Sequence, residues 1–224
     1  NKAYFYDLNT KISYKLNPKN NIYLSGYFGR DVFNVSDSFE NTYGNTVLNF
    51  RWNHLFSDQL FSNLSLIYSD YYYGLNLNFV GFEWNSGIQN MNIKYDFKQY
   101  INDRYKLEYG LHSTYYSFNP GVISPNGPDS GINRKSLTNK FAFENAVYID
   151  VNQQLTERFA LNYGVRLSSF LRLGQDKLNV YENDKAVGFN TDLQLYEKID
   201  PIGSESGSQG KVEKSFMNLE PRLA

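Results

Sequence analysis

The sequence predicts an all-β protein, an antiparallel up-and-down transmembrane β-barrel, and three observations lead there. Apolar and polar residues alternate with period two in at least eight segments, the signature of strands with one apolar and one wet face. The connections between segments alternate strictly between short and long. In an up-and-down sheet this puts tight turns at one end and large loops at the other, as in membrane-spanning barrels. Aromatic residues make up 17% of the chain, 20 of them Tyr, and they gather toward segment ends, where the membrane interfaces would lie.

Taken in order, the first segment sets Leu8, Thr10, Ile12, Tyr14 and Leu16 against Asn9, Lys11, Ser13 and Lys15. Asn17-Pro18-Lys19-Asn20 is a turn, because proline pre-sets φ and asparagine tolerates left-handed geometry. Its return strand carries Ile22, Leu24 and Phe28, and a long connection is expected over 31–45. The second pair sets Leu48, Phe50 and Trp52 against Asn49, Arg51 and Asn53, turns at Ser57-Asp58-Gln59, and returns with Leu64, Leu66, Tyr68 and Tyr72 on one side. After a long connection over 73–87, the third pair runs through Met91, Ile93, Tyr95 and Phe97, turns at Asn102-Asp103, and returns through Tyr105, Leu107, Tyr109 and Leu111. A further long connection spans 118–138. The fourth pair holds Phe141, Phe143, Val147, Ile149 and Val151, then Phe159, Leu161, Tyr163, Val165 and Leu167. The last and longest connection, 172–215, is read as an extracellular loop. Within it, 177–199 is expected to form a small hairpin turning at 182–185. The segment 201–210, rich in Gly and Ser, is given no secondary structure. A ninth strand begins near Asn218.

The strands supply the roughly 9–11 residues that cross a hydrocarbon core at a tilt. A soluble β-sandwich would alternate in the same way with its faces exchanged; strand length, loop asymmetry and tyrosine placement favour the membrane. The wet face carries Lys11, Lys15, Arg51, Lys94, Asp96, Glu108, His112, Glu144 and Arg166. These are too many charges for the packed interior of a small barrel, and they suit a water-filled or plugged lumen.

Composition removes other classes. With 22 Lys and Arg against 23 Asp and Glu and a pI near 6.2, the chain has no basic field for a phosphate backbone, so no nucleic-acid partner is expected. A mean hydropathy of -0.55 and the lack of a long apolar run exclude helical spans. There is no Cys, and His54 and His112 stand apart without other ligands at metal spacing, so no metal is expected. The carboxylate pairs Glu108 with Asp96 and Glu144 with Asp150 would be solvated in an open lumen. No catalytic residue, cofactor or enzymatic activity is expected. Gly26, Gly29, Gly74, Gly110 and Gly164 form no phosphate loop and mark bends, bulges or close approaches. The candidates for ligand contact are Phe79, Phe82 and Trp84, aromatics among Asn and Gly in the loop 71–84. The competing reading has them packing loops together.

The chain opens at Asn1-Lys2-Ala3 with neither Met nor a signal-peptide pattern, and it stops at Leu219-Glu220-Pro221-Arg222-Leu223-Ala224 within a strand start. It is therefore read as part of a longer polypeptide.

Phe50-Arg51-Trp52-Asn53-His54-Leu55-Phe56-Ser57, followed by Leu60-Phe61-Ser62-Asn63-Leu64 and Tyr68-Ser69-Asp70-Tyr71, resembles a barrel hairpin of the TonB-dependent receptors of Bacteroidota. Asn162-Tyr163-Gly164-Val165-Arg166-Leu167 and Asn218-Leu219-Glu220-Pro221-Arg222-Leu223 resemble the same family. The resemblance implies a bacterial outer-membrane barrel of about 22 strands with a plugged lumen, of which 1–224 is a partial barrel domain of about eight strands and the start of a ninth. It implies import of a ligand, of identity not legible here, with energy delivered by the TonB complex. The plug domain and TonB box would lie outside this chain. The implied partners are outer-membrane lipid, the TonB complex, the imported ligand, and a surface lipoprotein or other envelope proteins. A structural or accessory barrel subunit of an envelope complex is the alternative. A complete eight-stranded barrel is disfavoured by the charged wet face and the ninth strand.

Overall fold

The structure, a computed structural model, describes residues 2–36, 38–128, 130–175, 177–206 and 210–223. Nine long strands run up and down: β1 (Lys2–Asn17), β2 (Asn20–Val35), β3 (Phe39–Ser57), β4 (Leu60–Leu77), β5 (Phe82–Asn102), β6 (Tyr105–Pro125), then, after the two-residue β7 (Lys135–Ser136), β8 (Lys140–Thr156) and β9 (Phe159–Leu173), and finally β14 (Val212–Leu223). Between β9 and β14 lie four short strands, β10 (Lys177–Val180), β11 (Val187–Asn190), β12 (Leu195–Lys198) and β13 (Gly203–Ser206). The long strands form one sheet in the order β1-β2-β3-β4-β5-β6-β8-β9-β14, with β7 added to β6. Every pairing is antiparallel. The sheet is a section of barrel wall, with β1 and β14 as its two unjoined edges.

Register turns the period-two pattern into two continuous faces. Tyr14, Ile22, Trp52, Leu64, Tyr95, Leu111, Val147, Leu167 and Leu219 are successive partners across the whole sheet, so one row of side chains is apolar or aromatic from edge to edge. The neighbouring row on the opposite face reads Lys15, Asn21, Asn53, Asn63, Asp96, Gly110, Tyr148, Arg166 and Glu220. A one-residue slip anywhere would exchange the two faces. The apolar face is not covered: on interior strands Met91 is 61% exposed, Val147 54% and Leu48 51%, and the buried hydrophobic residues are only Val32, Ala146 and Leu173 among those described. A sandwich would bury this face against a second sheet; here it has the character of a surface whose solvent is hydrocarbon.

The tight turns share one construction. Asn17, Ser57, Asn102 and Thr156 each accept, on a side-chain oxygen, the backbone N–H two residues on, an Asx or Ser/Thr turn. Each is preceded by a register shift in which one residue is extra. The extra residues are Leu16, Phe56, Ile101 and Leu155, all large, apolar and exposed. The carbonyl of the second turn residue then takes an N–H from the next hairpin: Leu55 donates to Lys19 at 2.9 Å, Tyr100 to Gln59 at 2.8 Å and Gln154 to Arg104 at 2.8 Å. Adjacent turns are thus stitched by backbone bonds, and each bulge presents an apolar anchor at this rim.

The opposite rim departs from expectation. The connections expected to be long at 31–45 and 73–87 are mostly strand, closing through 36–38 and through the 3-10 turn Asn78–Val80 with Gly81. Strict short and long alternation therefore does not hold: two connections at this rim are tight, and two, 126–139 and 174–211, are long. Above the apolar band the apolar residues change faces, with Phe33, Phe39, Tyr43, Tyr73, Leu75 and Trp84 on the side of the polar row, so the membrane pattern breaks while the backbone ladder continues. Cross-strand contacts support it, including Asn41 Nδ2 donating to Tyr73 Oη at 3.0 Å and Phe33 edge-on to Phe39 at 6.2 Å. In the longest connection the expected hairpin also differs. β11 pairs with β12, whereas β10 pairs with β13, drawn from the segment given no secondary structure.

Two of the strand glycines make room for neighbours. Tyr148 lies over Gly110, where an added Cβ would fall 3.0 Å from the ring and 2.5 Å from the Tyr95 carbonyl. Gly164 leaves space taken by the Asp150 carboxylate.

Two outcomes follow from this packing. Gly110→Val will lower unfolding stability by about 1–3 kcal/mol through overpacking, read as a reduced thermal midpoint of the full-length protein. Leu66→Arg, on the apolar face, will cost about 2–4 kcal/mol in a lipid bilayer, whereas Asn90→Arg, on the polar face, will change stability by about 0.5 kcal/mol or less. Equal costs in urea titrations would contradict the assignment of faces.

Candidate ligand-contact site

The polar face carries ordered chemistry from one rim to the other. Near the tight turns, Lys98 and Lys106 both reach Glu108 Oε1, at 3.3 and 2.5 Å. One level up, Tyr148 Oη donates to Asp96 Oδ1 at 2.7 Å, and Lys94 pairs with the other oxygen of Asp96 at 3.3 Å. Ser168 Oγ donates to Glu220 at 2.6 Å. His112 bonds Asn92 at 2.9 Å, and on the opposite face His54 meets Asn20 at 2.7 Å, which also accepts from Trp52 Nε1. Both histidines are hydrogen-bonders within the wall.

Toward the loop rim the polar face turns aromatic. Register makes Ile88, Phe118 and Lys140 neighbours, sets Tyr116 beside Ala142 and Arg172, and sets Glu144 beside Phe170. These residues line a cavity of about 450 Å³ spanning β5, β6, β8 and β9. Its base is held by Tyr116 Oη donating to Glu144 Oε2 at 3.2 Å, and Arg172 Nε stands 4.0 Å from Glu213. Flat apolar walls beneath a rim of Lys140 and Arg172 can take a planar or apolar group and bring cations to an anionic substituent. From sequence Glu144 stands out as a lumen charge and Tyr116 as a strand-end aromatic, neither as part of a shared site. The others come from four strands and meet through register, so no local motif signals them.

Phe79, Phe82 and Trp84 lie elsewhere, at the tip of the β4–β5 hairpin. Phe79 sits in the 3-10 turn and is 72% exposed. Phe82 pairs with Leu77 and Pro125. Trp84 meets Tyr73 edge-on at 5.9 Å and lies over Gly121, where an added Cβ would collide with the indole Nε1. The following loop is tied to the same tip: Asn126 Nδ2 donates to Asn76 and Asn78 at 2.7 and 2.6 Å, and Ser130 Oγ to the Gly81 carbonyl at 2.6 Å. Trp84 is thus part of the tip's packing, and Phe79 projects from it.

Comparison with known proteins places this wall in context. No family model matches the chain, and no curated protein does. Among solved structures, the ferric-catecholate import receptor Fiu of E. coli K12 in its closed form superimposes with a TM-score of 0.61 at 12% identity, covering 99% of this chain and 40% of that one. The copper transporter OprC gives 0.61 at 9% identity, over 99% of this chain and 34% of that one. The open form of Fiu gives 0.58 at 12% identity, over 99% and 44%. The chain spans less than half the length of each. These likenesses, with the register above, establish the fold as an antiparallel up-and-down transmembrane β-barrel wall.

The tip packing predicts unequal responses to truncation. Trp84→Ala will destabilise by about 1–3 kcal/mol, below the range for fully buried aromatic deletions because the ring is only half-buried. Phe79→Ala will leave stability within about 0.5 kcal/mol. Thermal unfolding of both variants against the parent checks this.

Proposed function

We propose that the chain is part of the barrel of an outer-membrane TonB-dependent receptor, which imports a ligand across the bacterial outer membrane. The observation that carries this reading is a single wall, apolar outside and richly charged inside, that superimposes over its whole length on import and transport barrels. The resemblance of its hairpins to those of Bacteroidota receptors supports it. On this reading the polar face lines a lumen occupied by a plug domain upstream, the tight-turn rim is periplasmic, and the two long connections are extracellular. The ligand first meets the loop rim, where Phe79 projects, and then the cavity of Phe118, Phe170, Lys140 and Arg172. On the same reading Phe79, Phe82 and Trp84 form the aromatic tip that contacts the incoming ligand. Working partners are outer-membrane lipid, TonB through the upstream region, and a surface lipoprotein or other envelope protein.

The test is the intact mass of the native polypeptide from a urea-washed outer-membrane fraction. A mass several times the 26.1 kDa of this chain, with a plug and TonB box upstream, is expected. A mass close to that of the chain, or a long polypeptide without a plug, would overturn the importer reading in favour of a structural barrel.

A further inference from the structure

One cation stands on the apolar side of the wall. Arg30 shares that side of β2 with Ile22, Leu24 and Phe28, and among the described residues no other Lys or Arg of β2 to β6, β8 or β9 lies on it. Register sets it in the row Tyr6, Arg30, Gly44 and Tyr72. The Tyr6 hydroxyl bonds the guanidinium, and those of Tyr4 and Tyr72 stand near it. Gly44 makes this approach possible: an added Cβ would fall 2.6 Å from the Tyr72 ring, which lies across the glycine on the way to Arg30. Arg30, Gly44 and Tyr72 belong to β2, β3 and β4, inside the wall rather than at its open edge.

The charge is not balanced within the wall. No carboxylate forms an ion pair with Arg30 among the described residues. The outward carboxylates of β3 and β4 are engaged elsewhere, Glu40 accepting from Asn34 at 3.3 Å and Asp70 from Gln89 at 3.0 Å. Phenol oxygens accept from the guanidinium but carry no charge to offset it, and each keeps its own O–H to donate. The level matters as much as the charge. From Asn20, paired with His54 at the tight-turn rim, β2 runs ten residues to Arg30, roughly 33 Å along the strand and about 25 Å across the membrane at a tilt of about 40°. That is the height of a barrel's apolar band, so the guanidinium stands at headgroup level. Beneath it on the same face Leu24, Phe28 and Leu48 are exposed.

We propose that Arg30, with the hydroxyls of Tyr4, Tyr6 and Tyr72, binds the phosphate of a lipid headgroup in the loop-side leaflet, the acyl chains lying over Leu24, Phe28 and Leu48. A guanidinium flanked by donating hydroxyls matches the oxygens of a phosphate. A lipid brings the anion and the hydrocarbon at the two levels where this surface presents a cation and apolar side chains, whereas free phosphate brings only the first. The site is on the opposite side of the wall from the aromatic cavity, so the proposal requires only that this face meets a bilayer and is independent of what the barrel imports.

The test uses the full-length protein in mild detergent, with native mass spectrometry reading the binding of added phosphatidic acid and of diacylglycerol, its phosphate-free counterpart. Phosphatidic acid is expected to bind the more tightly, and Arg30→Gln to raise its dissociation constant about tenfold, the scale of one charge-assisted hydrogen bond. Arg30→Lys, which keeps the charge, should recover most of that loss. Tyr72→Phe, which keeps the ring on Gly44 and removes only the hydroxyl, should weaken binding by a smaller factor, and Lys11→Gln, on the polar face of β1, should leave it unchanged. Inorganic phosphate at the same concentration should not compete. Equal binding of the two lipids, full affinity in an Arg30→Gln variant with the parental thermal midpoint, an equal loss in Lys11→Gln, or displacement of the lipid by inorganic phosphate would each overturn the proposal.

Discussion

The structure depends on one uninterrupted backbone ladder. A strand wall facing hydrocarbon has no water to satisfy its amides, so every N–H and C=O in the band must be paired with a neighbouring strand. The nine long strands meet this requirement with nearly continuous antiparallel register, and the shifts fall at the rims, four at the tight turns and two, beside Gly87 and Lys214, toward the loops. Because the ladder fixes register, it also fixes which residues face which way. The apolar row from Tyr14 to Leu219 and the polar row from Lys15 to Glu220 are two consequences of the same bonds.

The rims express this constraint differently. At the tight-turn rim a two-residue turn, an Asx or Ser/Thr acceptor and a bulge recur, and each hairpin is bonded to the next through its turn carbonyl. The bulge releases one apolar side chain from the ladder at each turn, and the exposed Leu16, Phe56, Ile101 and Leu155 are the result. At the other rim the strands continue past the apolar band, held by side chains such as Asn41, Tyr73 and Trp84. Two connections there are free to grow long because nothing at that level demands closure.

The polar face is organised by level. Ion pairs around Glu108 and Asp96 occupy the lower wall, where small residues such as Gly110 and Gly164 let Tyr148 and Asp150 lie flat across the sheet. The aromatic cavity below the long loops has a different composition: its walls are rings and its charges stand at the rim. From the loop rim downward, apolar surface thus gives way to the dense charge network.

Period-two alternation placed all eight strands of the first four pairs, because a strand between lipid and lumen must change polarity at every residue; the ninth, expected near Asn218, begins six residues earlier at Val212. The same rule explains where sequence reading failed. At 31–45 and 73–87 the apolar residues move to the opposite face and are interspersed with turn formers, so the membrane pattern ends there and only the folded ladder reveals β2–β3 and β4–β5 as long hairpins. The pairing of β10 with β13 was likewise illegible, since local turn chemistry at 182–185 favours adjacent partners and says nothing about a partner across 22 residues. Phe79, Phe82 and Trp84 stood out in sequence as aromatics among turn formers, yet their separate environments, an exposed tip and a ring laid on Gly121, depend on neighbouring strands. The cavity of Phe118, Phe170, Lys140 and Arg172 could not be read from sequence at all. The sequence by itself determined the strands and their two faces, because alternation is a local property of the chain. Only the tertiary structure decided which residues meet across strands, because register is set by the summed pairing of the whole sheet.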